Sequence, residues 1–207
     1  MRRFLLLVHR VPVRGEFTLN DLAGGGGRMD EVARSVSTAF TLSNDLRRDT
    51  ELTLLFSGAA PSEGRRVDLS GARLRYLNPD ERSTAALLKN ALVRSAAYPH
   101  PFESSPGLRV GPVAPLEALG EFVLRPGAIW LTEDGAPIGA WNGPPGEMAA
   151  VVSDPYDPTP EEAARLGASG IPRVSVGPRA LRTSQVIDAV HRELDLRTAD
   201  PRPGGPA

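Results

Sequence analysis

GGGGRMDEVARSVSTAFTLSNDLRRD, residues 24–49, places a glycine loop, a helix-length amphipathic segment and a charged exit in direct succession. Val32, Val36, Ala39 and Phe40 recur at i, i+4, i+7 and i+8, which predicts a helix over residues 29–41 with that face turned to a core. Gly24 to Gly27 allow a sharp turn or the close approach of a ligand before it. Arg28 and Asp30 then enter the helix, and Asp45, Arg47, Arg48 and Asp49 leave it toward an extended run, Leu52 to Phe56. A capped helix with solvated ion pairs would account for any one of these residues. Paired arginines and aspartates at both ends suit more, because arginine forks hold phosphates, aspartates accept or orient protons, and loop ends are where such groups work.

Outward from this segment the chain alternates. Arg3 to His9 reads as a first strand, residues 51–57 as a second, and residues 66–76 as a short extended pair around Ser70-Gly71. Asn78-Pro79-Asp80-Glu81-Arg82 opens a helix to about Arg94, with a capping residue, a proline and acidic groups where helix starts prefer them. Tyr98 to Gly107, rich in proline and serine, reads as an exposed part of a connection over 97–127. Ala128–Glu133, Ala149–Ser153 and Arg173–Val176 are short apolar strands, with a helix from Pro160 to about Leu166 between the last two. A final helix from about Arg182 to Leu196 carries Val186, Val190 and Leu194 on one face, and residues 198–207 have the composition of a disordered tail. Strands alternating with helices imply an α/β fold with a mostly parallel sheet, whose ligands sit at the strand carboxyl ends. Three loops qualify there: Thr132 to Gly135, Asp154 to Asp157, and Gly177 to Leu181.

Composition narrows the chemistry. The 207 residues contain no cysteine, so disulfides, thiolate metal sites and cysteine nucleophiles are excluded. His9, His100 and His191 are scattered without metal-ligand spacing to nearby carboxylates, and no catalytic metal is expected. The apolar run Phe4 to Val8 is far short of the ~18 residues of a membrane span, so a soluble, cytoplasmic protein is expected. Net charge is -1, and Lys89 is the single lysine, leaving guanidinium groups at every other basic contact. Neither G-x-G-x-x-G nor G-x-x-x-x-G-K-[ST] nor G-x-S-x-G occurs between predicted elements.

Longer blocks carry a resemblance. The opening MRRF, Asn20-Asp21-Leu22 with Gly27-Arg28-Met29-Asp30, Ser35-Val36-Ser37 with Ala39-Phe40, the run Leu42 to Asp49 and Pro79-Asp80-Glu81-Arg82 look like the TrmY family. Ser105-Pro106-Gly107-Leu108 with Val110, and Ser175-Val176-Gly177-Pro178 with Leu181, continue the similarity to about Leu196. Members of that family are SPOUT-class methyltransferases that use S-adenosylmethionine to methylate N1 of pseudouridine, in archaea at position 54 of the tRNA T-loop. The resemblance implies a homodimer and a single domain over residues 1–197, with an RNA-facing half (1–96) and a half over 128–197 tied in a trefoil knot around the cofactor. Leu131, Ser153, the run Val176, Gly177, Pro178, Arg179, Ala180 and Leu181, and Val186 would then surround the cofactor.

A sulfonium methyl is already electrophilic, so such a protein mainly aligns it and excludes water. The N1 proton of pseudouridine must leave, and Asp30 is the first choice to accept or polarise it, matching the family's G-R-x-D; Asp45 is the second. Arg28, Arg47 and Arg48 would grip phosphates flanking an extruded nucleotide. Ser153 stands where the family has glycine, Val186 where it has cysteine, and Arg182-Thr183-Ser184-Gln185 differs from the archaeal form. The chain's arginine-rich, non-acidic character also sets it apart from haloarchaeal members. Alternatives are N1-methylation of ribosomal RNA or a free C-nucleoside, or an RNA-binding module without turnover. Apolar residues of the last helix such as Ile187 are expected at the surface as dimer-interface material.

Overall fold

The computed structural model describes residues 1–60, 63–144 and 146–198. Its elements run β1 (Arg2–Val8), α1 (Met29–Phe40), β2 (Thr50–Phe56), β3 (Arg65–Ser70), α2 (Glu81–Ser95), β4 (Phe102–Ser105), β5 (Leu108–Pro112), α3 (Pro115–Phe122), β6 (Ala128–Pro137), β7 (Met148–Ser153), α4 (Pro160–Ser169), β8 (Arg173–Ser175) and α5 (Thr183–Thr198). The strands form one sheet in the order β4-β5-β3-β2-β1-β7-β6-β8. From β2 to β8 the neighbours are parallel, four junctions in all, and from β2 to β4 they are antiparallel, three junctions. The expected parallel sheet is therefore the half that contains β1, β7, β6 and β8.

Parallel strands covered on both faces read as unbroken apolar runs, and Phe4 to Val8 is one. Phe4, Leu6 and Val8 pack in the same core as Val36, Leu88 and Val190, under α1, α2 and α5, while Leu5 and Leu7 join Leu119, Phe122 and Leu166 under α3 and α4. This alternation buries every side chain of the run, which is no more than 1% exposed. Asp80 caps α2 by accepting from the Ser83 backbone N–H at 2.7 Å, the helix start expected of Asn78 to Arg82.

Three parts of the structure differ from the sequence expectation. The stretch 97–127, expected as a connection, holds β4, β5 and α3, because Pro106-Gly107 turns a hairpin whose strands extend the antiparallel edge. Residues 66–76 do not pair with themselves; β3 ends at Ser70 and pairs with β2 and β5. Ile187 is 0% exposed and packs in the core, so it is not surface material. The inward face of α5 is displaced by one residue, to Thr183, Ser184, Ile187, Val190 and His191, leaving Val186 and Leu194 partly buried. Ser184 and His191 are tolerated inside because each is hydrogen-bonded, which hydrophobic spacing cannot register. Thr198 closes α5, its hydroxyl donating to the Leu194 carbonyl; the rest of the expected disordered tail, 199–207, lies outside the described residues.

Candidate active site

The carboxyl ends of β6, β7 and β8 border a crevice of about 750 Å³, within the range of small-molecule sites. The three loops expected there converge on it. The first is an excursion inside β6, because Leu131 and Ala136 both stand opposite Val174 of β8 and residues 132–135 bulge out between them. Gly135 closes that excursion directly against β8: a Cβ on it would lie 2.5 Å from the Val174 nitrogen. The second loop leaves β7 through Ser153 and Asp154, and the third leaves β8 through Val176.

The amino end of α1 forms a fourth wall. Arg28 lines the crevice in a left-handed conformation, φ 73°, the one non-glycine residue with positive φ among the described residues. It follows Gly27, also left-handed, whose Cβ would fall 2.0 Å from the Arg10 carbonyl, so glycine is required there. The Arg28 fork donates to both oxygens of Asp30 at 3.0 Å. Partial burial opposes ionisation of Asp30, but the Arg28 fork outweighs it and holds the carboxyl below its ordinary range.

Glu31, 1% exposed, lines the floor and ties the two halves of the chain together. Its Oε1 accepts from the Ser184 N–H at 2.9 Å and the Ser184 hydroxyl at 2.7 Å, in the first turn of α5, and its other oxygen pairs with Arg34. Thr183 donates its hydroxyl to the Ser153 carbonyl at 2.7 Å, and the Gln185 side chain accepts from the Arg182 N–H. The divergent stretch Arg182 to Gln185 thus builds the start of α5 at the crevice wall.

Beneath the second loop His9 stands between two carboxylates, with Nδ1 2.8 Å from Asp154 and Nε2 2.8 Å from Glu162. Burial works against its charged form, but the hydrogen bonds to both carboxylates outweigh it and lift the imidazole to about 9. Thr132 lines the crevice, and its Oγ1 is buried with no hydrogen-bond partner. Leu131, Val152, Val174 and Val186 supply apolar wall, while Glu133, Asp134 and Asp157 stand at the rim. An adenosine with a short charged chain suits this mixture of apolar wall, backbone edges, unpartnered hydroxyl and carboxylates.

The structure brings Leu131, Ser153, Val176, Gly177, Arg179, Ala180, Leu181, Val186 and Arg28 to the crevice. Pro178 of the expected set is exposed and is not among its lining residues. Asp30 stands behind Arg28. Ser153, which lines the crevice, donates its hydroxyl to the Tyr156 carbonyl at 2.5 Å.

Asp45, Arg47 and Arg48 are not brought together with Asp30. They follow the far end of α1 and lie by the amino end of β1, across the sheet from the crevice, and their charges have partners there. Arg47 forks onto Asp195 at 3.0 and 2.7 Å, and Arg2 joins Asp195 to Asp49. The Arg47 fork leads in drawing Asp195 down to about 2, and burial, aided by Arg47 and Arg2, pushes neighbouring His191 down to about 3. Arg48 donates to the carbonyls of Gly71 and Leu74 and to exposed Asp45. Arg47→Ala should therefore lower the unfolding free energy by about 1–2 kcal/mol, read as a lower urea midpoint at unchanged slope.

Glu31 and His9 are not among the site residues expected from sequence, and Thr132 and Asp154 enter only as the starts of expected loops; no local signal marks their contacts, because the His9 partners are 145 and 153 residues away and Ser184 is 153 from Glu31.

A sequence profile of the family described as "Putative SAM-dependent RNA methyltransferase" matches residues 1–199. The tRNA (pseudouridine(54)-N(1))-methyltransferase of Haloarcula marismortui is 40% identical over 197 residues, covering 94% of this chain and 96% of that protein. The protein of the same name from Methanocella arvoryzae is 38% identical over 197 residues, covering 95% of this chain and 100% of its own length. Among solved structures, Archaeoglobus fulgidus Nep1 bound to S-adenosylhomocysteine superposes with a TM-score of 0.64 at 14% identity, over 94% of this chain and 97% of that one, a likeness of fold. Profile and relatives together run along nearly the whole length, and the chain belongs to this SAM-dependent RNA methyltransferase family as a TrmY-like member.

Proposed function

We propose that the protein transfers the methyl group of S-adenosylmethionine to N1 of pseudouridine in tRNA, at position 54 of the T-loop. The observation that carries this reading is the crevice at the ends of β6, β7 and β8, with its unpartnered Thr132 hydroxyl, in a chain 40% identical to an enzyme named for that reaction. The donor, when bound, supplies an electrophilic methyl on a sulfonium centre. What the chain contributes is position: apolar walls at Leu131, Val174 and Val186 exclude water, and the turns after β6, β7 and β8 offer main-chain groups to an adenosyl moiety.

Arg28 at the rim is the arginine we assign to a phosphate of the extruded nucleotide, aimed by the Asp30 carboxylate behind it. Asp30 stays ionised at neutral pH, but both its oxygens are taken by the Arg28 fork and it does not line the crevice, so we assign it to holding Arg28 and leave the N1 proton without an assigned acceptor. Asp45 is not carried into this scheme, because it sits at the opposite end of α1. We infer a homodimer and a carboxyl-terminal trefoil knot from the family. We infer a cytoplasmic location from the tRNA substrate. Among the described residues no helix is long and apolar enough to cross a membrane.

Labelled methyl transfer to T-loop transcripts with and without pseudouridine tests the reaction. Only the pseudouridylated transcript should be methylated; equal labelling of both, or of neither, overturns the assignment. Arg28→Ala should weaken transcript binding and lower the slope of log affinity against log salt by about one, while Arg47→Ala leaves that slope unchanged.

A further inference from the structure

We propose that His9 is a positioning residue of the crevice: as an imidazolium wedged between Asp154 and Glu162 it pins the 154–158 turn to the end of β1, and loss of its proton releases that turn. The inference rests on the donor-binding reading above.

The geometry is that of a clamp. Asp154 accepts from the His9 backbone N–H at 2.9 Å and from its Nδ1 at 2.8 Å, and it also accepts from the Tyr156 N–H at 3.1 Å. Its own N–H donates to the Leu7 carbonyl, so one carboxylate shapes the turn that lines the crevice. Glu162 takes the other ring nitrogen and, through the same oxygen, the Thr159 N–H that starts α4. The two carboxylate side chains are 1% and 4% exposed and the imidazole 10%.

A ring whose two nitrogens both face carboxylates must donate from both, which only the cation can do. A neutral ring has one N–H, so one buried carboxylate would face a lone pair, and burial makes that costly. On its outer side His9 shares a shallow hollow with Arg10, Arg14, Glu16 and Glu63, two charges of each sign, and the Arg10 guanidinium lies 3.9 Å from the centre of the Tyr156 ring. The charges that decide the proton are therefore Asp154 and Glu162.

Because the folded imidazole titrates at about 9, above its ordinary 6.5, its contribution is complete below 6.5 and is lost as pH rises through 9. A change in the shape of the turn affects every occupant of the crevice, whereas a change in charge alone would affect the sulfonium donor and spare its neutral thioether product.

Titration calorimetry of the full chain with S-adenosylmethionine and S-adenosylhomocysteine, at about pH 7 and about pH 10, separates the outcomes. His9→Gln should bind both ligands about tenfold more weakly than wild type at the lower pH, a difference that closes at the higher pH. Comparing proteins at one pH cancels the ligands' own titration. Glu162→Gln keeps an acceptor for the start of α4 but removes one anion from the ring, so its affinity should break at lower pH than wild type. This shift tests the clamp even if His9→Gln does not fold. Wild-type affinity in His9→Gln at about pH 7, an effect on the donor alone, or an unshifted break in Glu162→Gln overturns the proposal. Wild-type protein that takes up neither ligand overturns the donor reading, and the clamp with it.

Discussion

Glu31→Ala should lower the unfolding free energy by about 3–4 kcal/mol, a large share of the roughly 5–15 kcal/mol that holds a domain of this kind. The carboxylate is buried, accepts both donors of Ser184 and pairs with Arg34. Truncation strands the Ser184 N–H and hydroxyl and removes one of three anions from Arg34, which keeps Glu81 and the more distant Asp30. Glu31→Gln separates charge from hydrogen bonding: its amide oxygen can still accept from Ser184, and the loss should shrink to about 1–2 kcal/mol. Urea unfolding monitored at unchanged slope measures both. A loss below about 1 kcal/mol for the alanine variant would mean that the amino end of α5 finds other partners. Donor affinity should fall with stability here, because Thr183 and Val186 of α5 line the crevice.

The second large effect belongs to Gly135. A methyl group there would meet the backbone of β8, 2.5 Å from the Val174 nitrogen, 2.6 Å from its carbonyl carbon and 2.7 Å from the Arg173 carbonyl carbon. Main chain cannot swing aside as a side chain does, so Gly135→Ala must displace β8, a three-residue edge strand paired only with β6. The fold should lose about 2–3 kcal/mol. Methyl transfer should fall about 100-fold, since the turn after β8 moves with its strand and misplacement near 1 Å has that scale of effect. Gly167→Ala is the matched control. Its new Cβ meets nothing within 4 Å, and on α4 it should be neutral or stabilising by up to about 1 kcal/mol. Equal behaviour of the two variants would sink the argument from backbone contact.

What could be read in advance depended on how local the cause was. Phe4 to Val8 and Ala149 to Ser153 announce buried parallel strands by composition alone, and α1 by its spacing. β4 and α3 did not announce themselves: Phe102 to Ser105 is a half-buried edge strand without alternation, and α3 starts at a proline inside a run that reads as a linker. The three crevice loops were legible because parallel topology fixes where strand ends gather. The clamp and the Glu31 tie were not, since each joins residues about 150 apart. Arg47 and Arg48 show the converse error, that charge beside a helix says nothing about which end of the sheet it will meet.

The pairing of β1 with β7 sets a schedule for synthesis. Arg2 stands opposite Met148, so β1 has no partner on that side until the much later β7 has been made and has left the ribosome. At 5–20 residues per second that wait is on the order of ten seconds, during which α1 and β2 shield the nascent apolar strand incompletely. The donor crevice cannot exist before α5 emerges and packs on α1, so refolding from denaturant should be slow, and overexpressed protein should gain yield from chaperones or cooler growth.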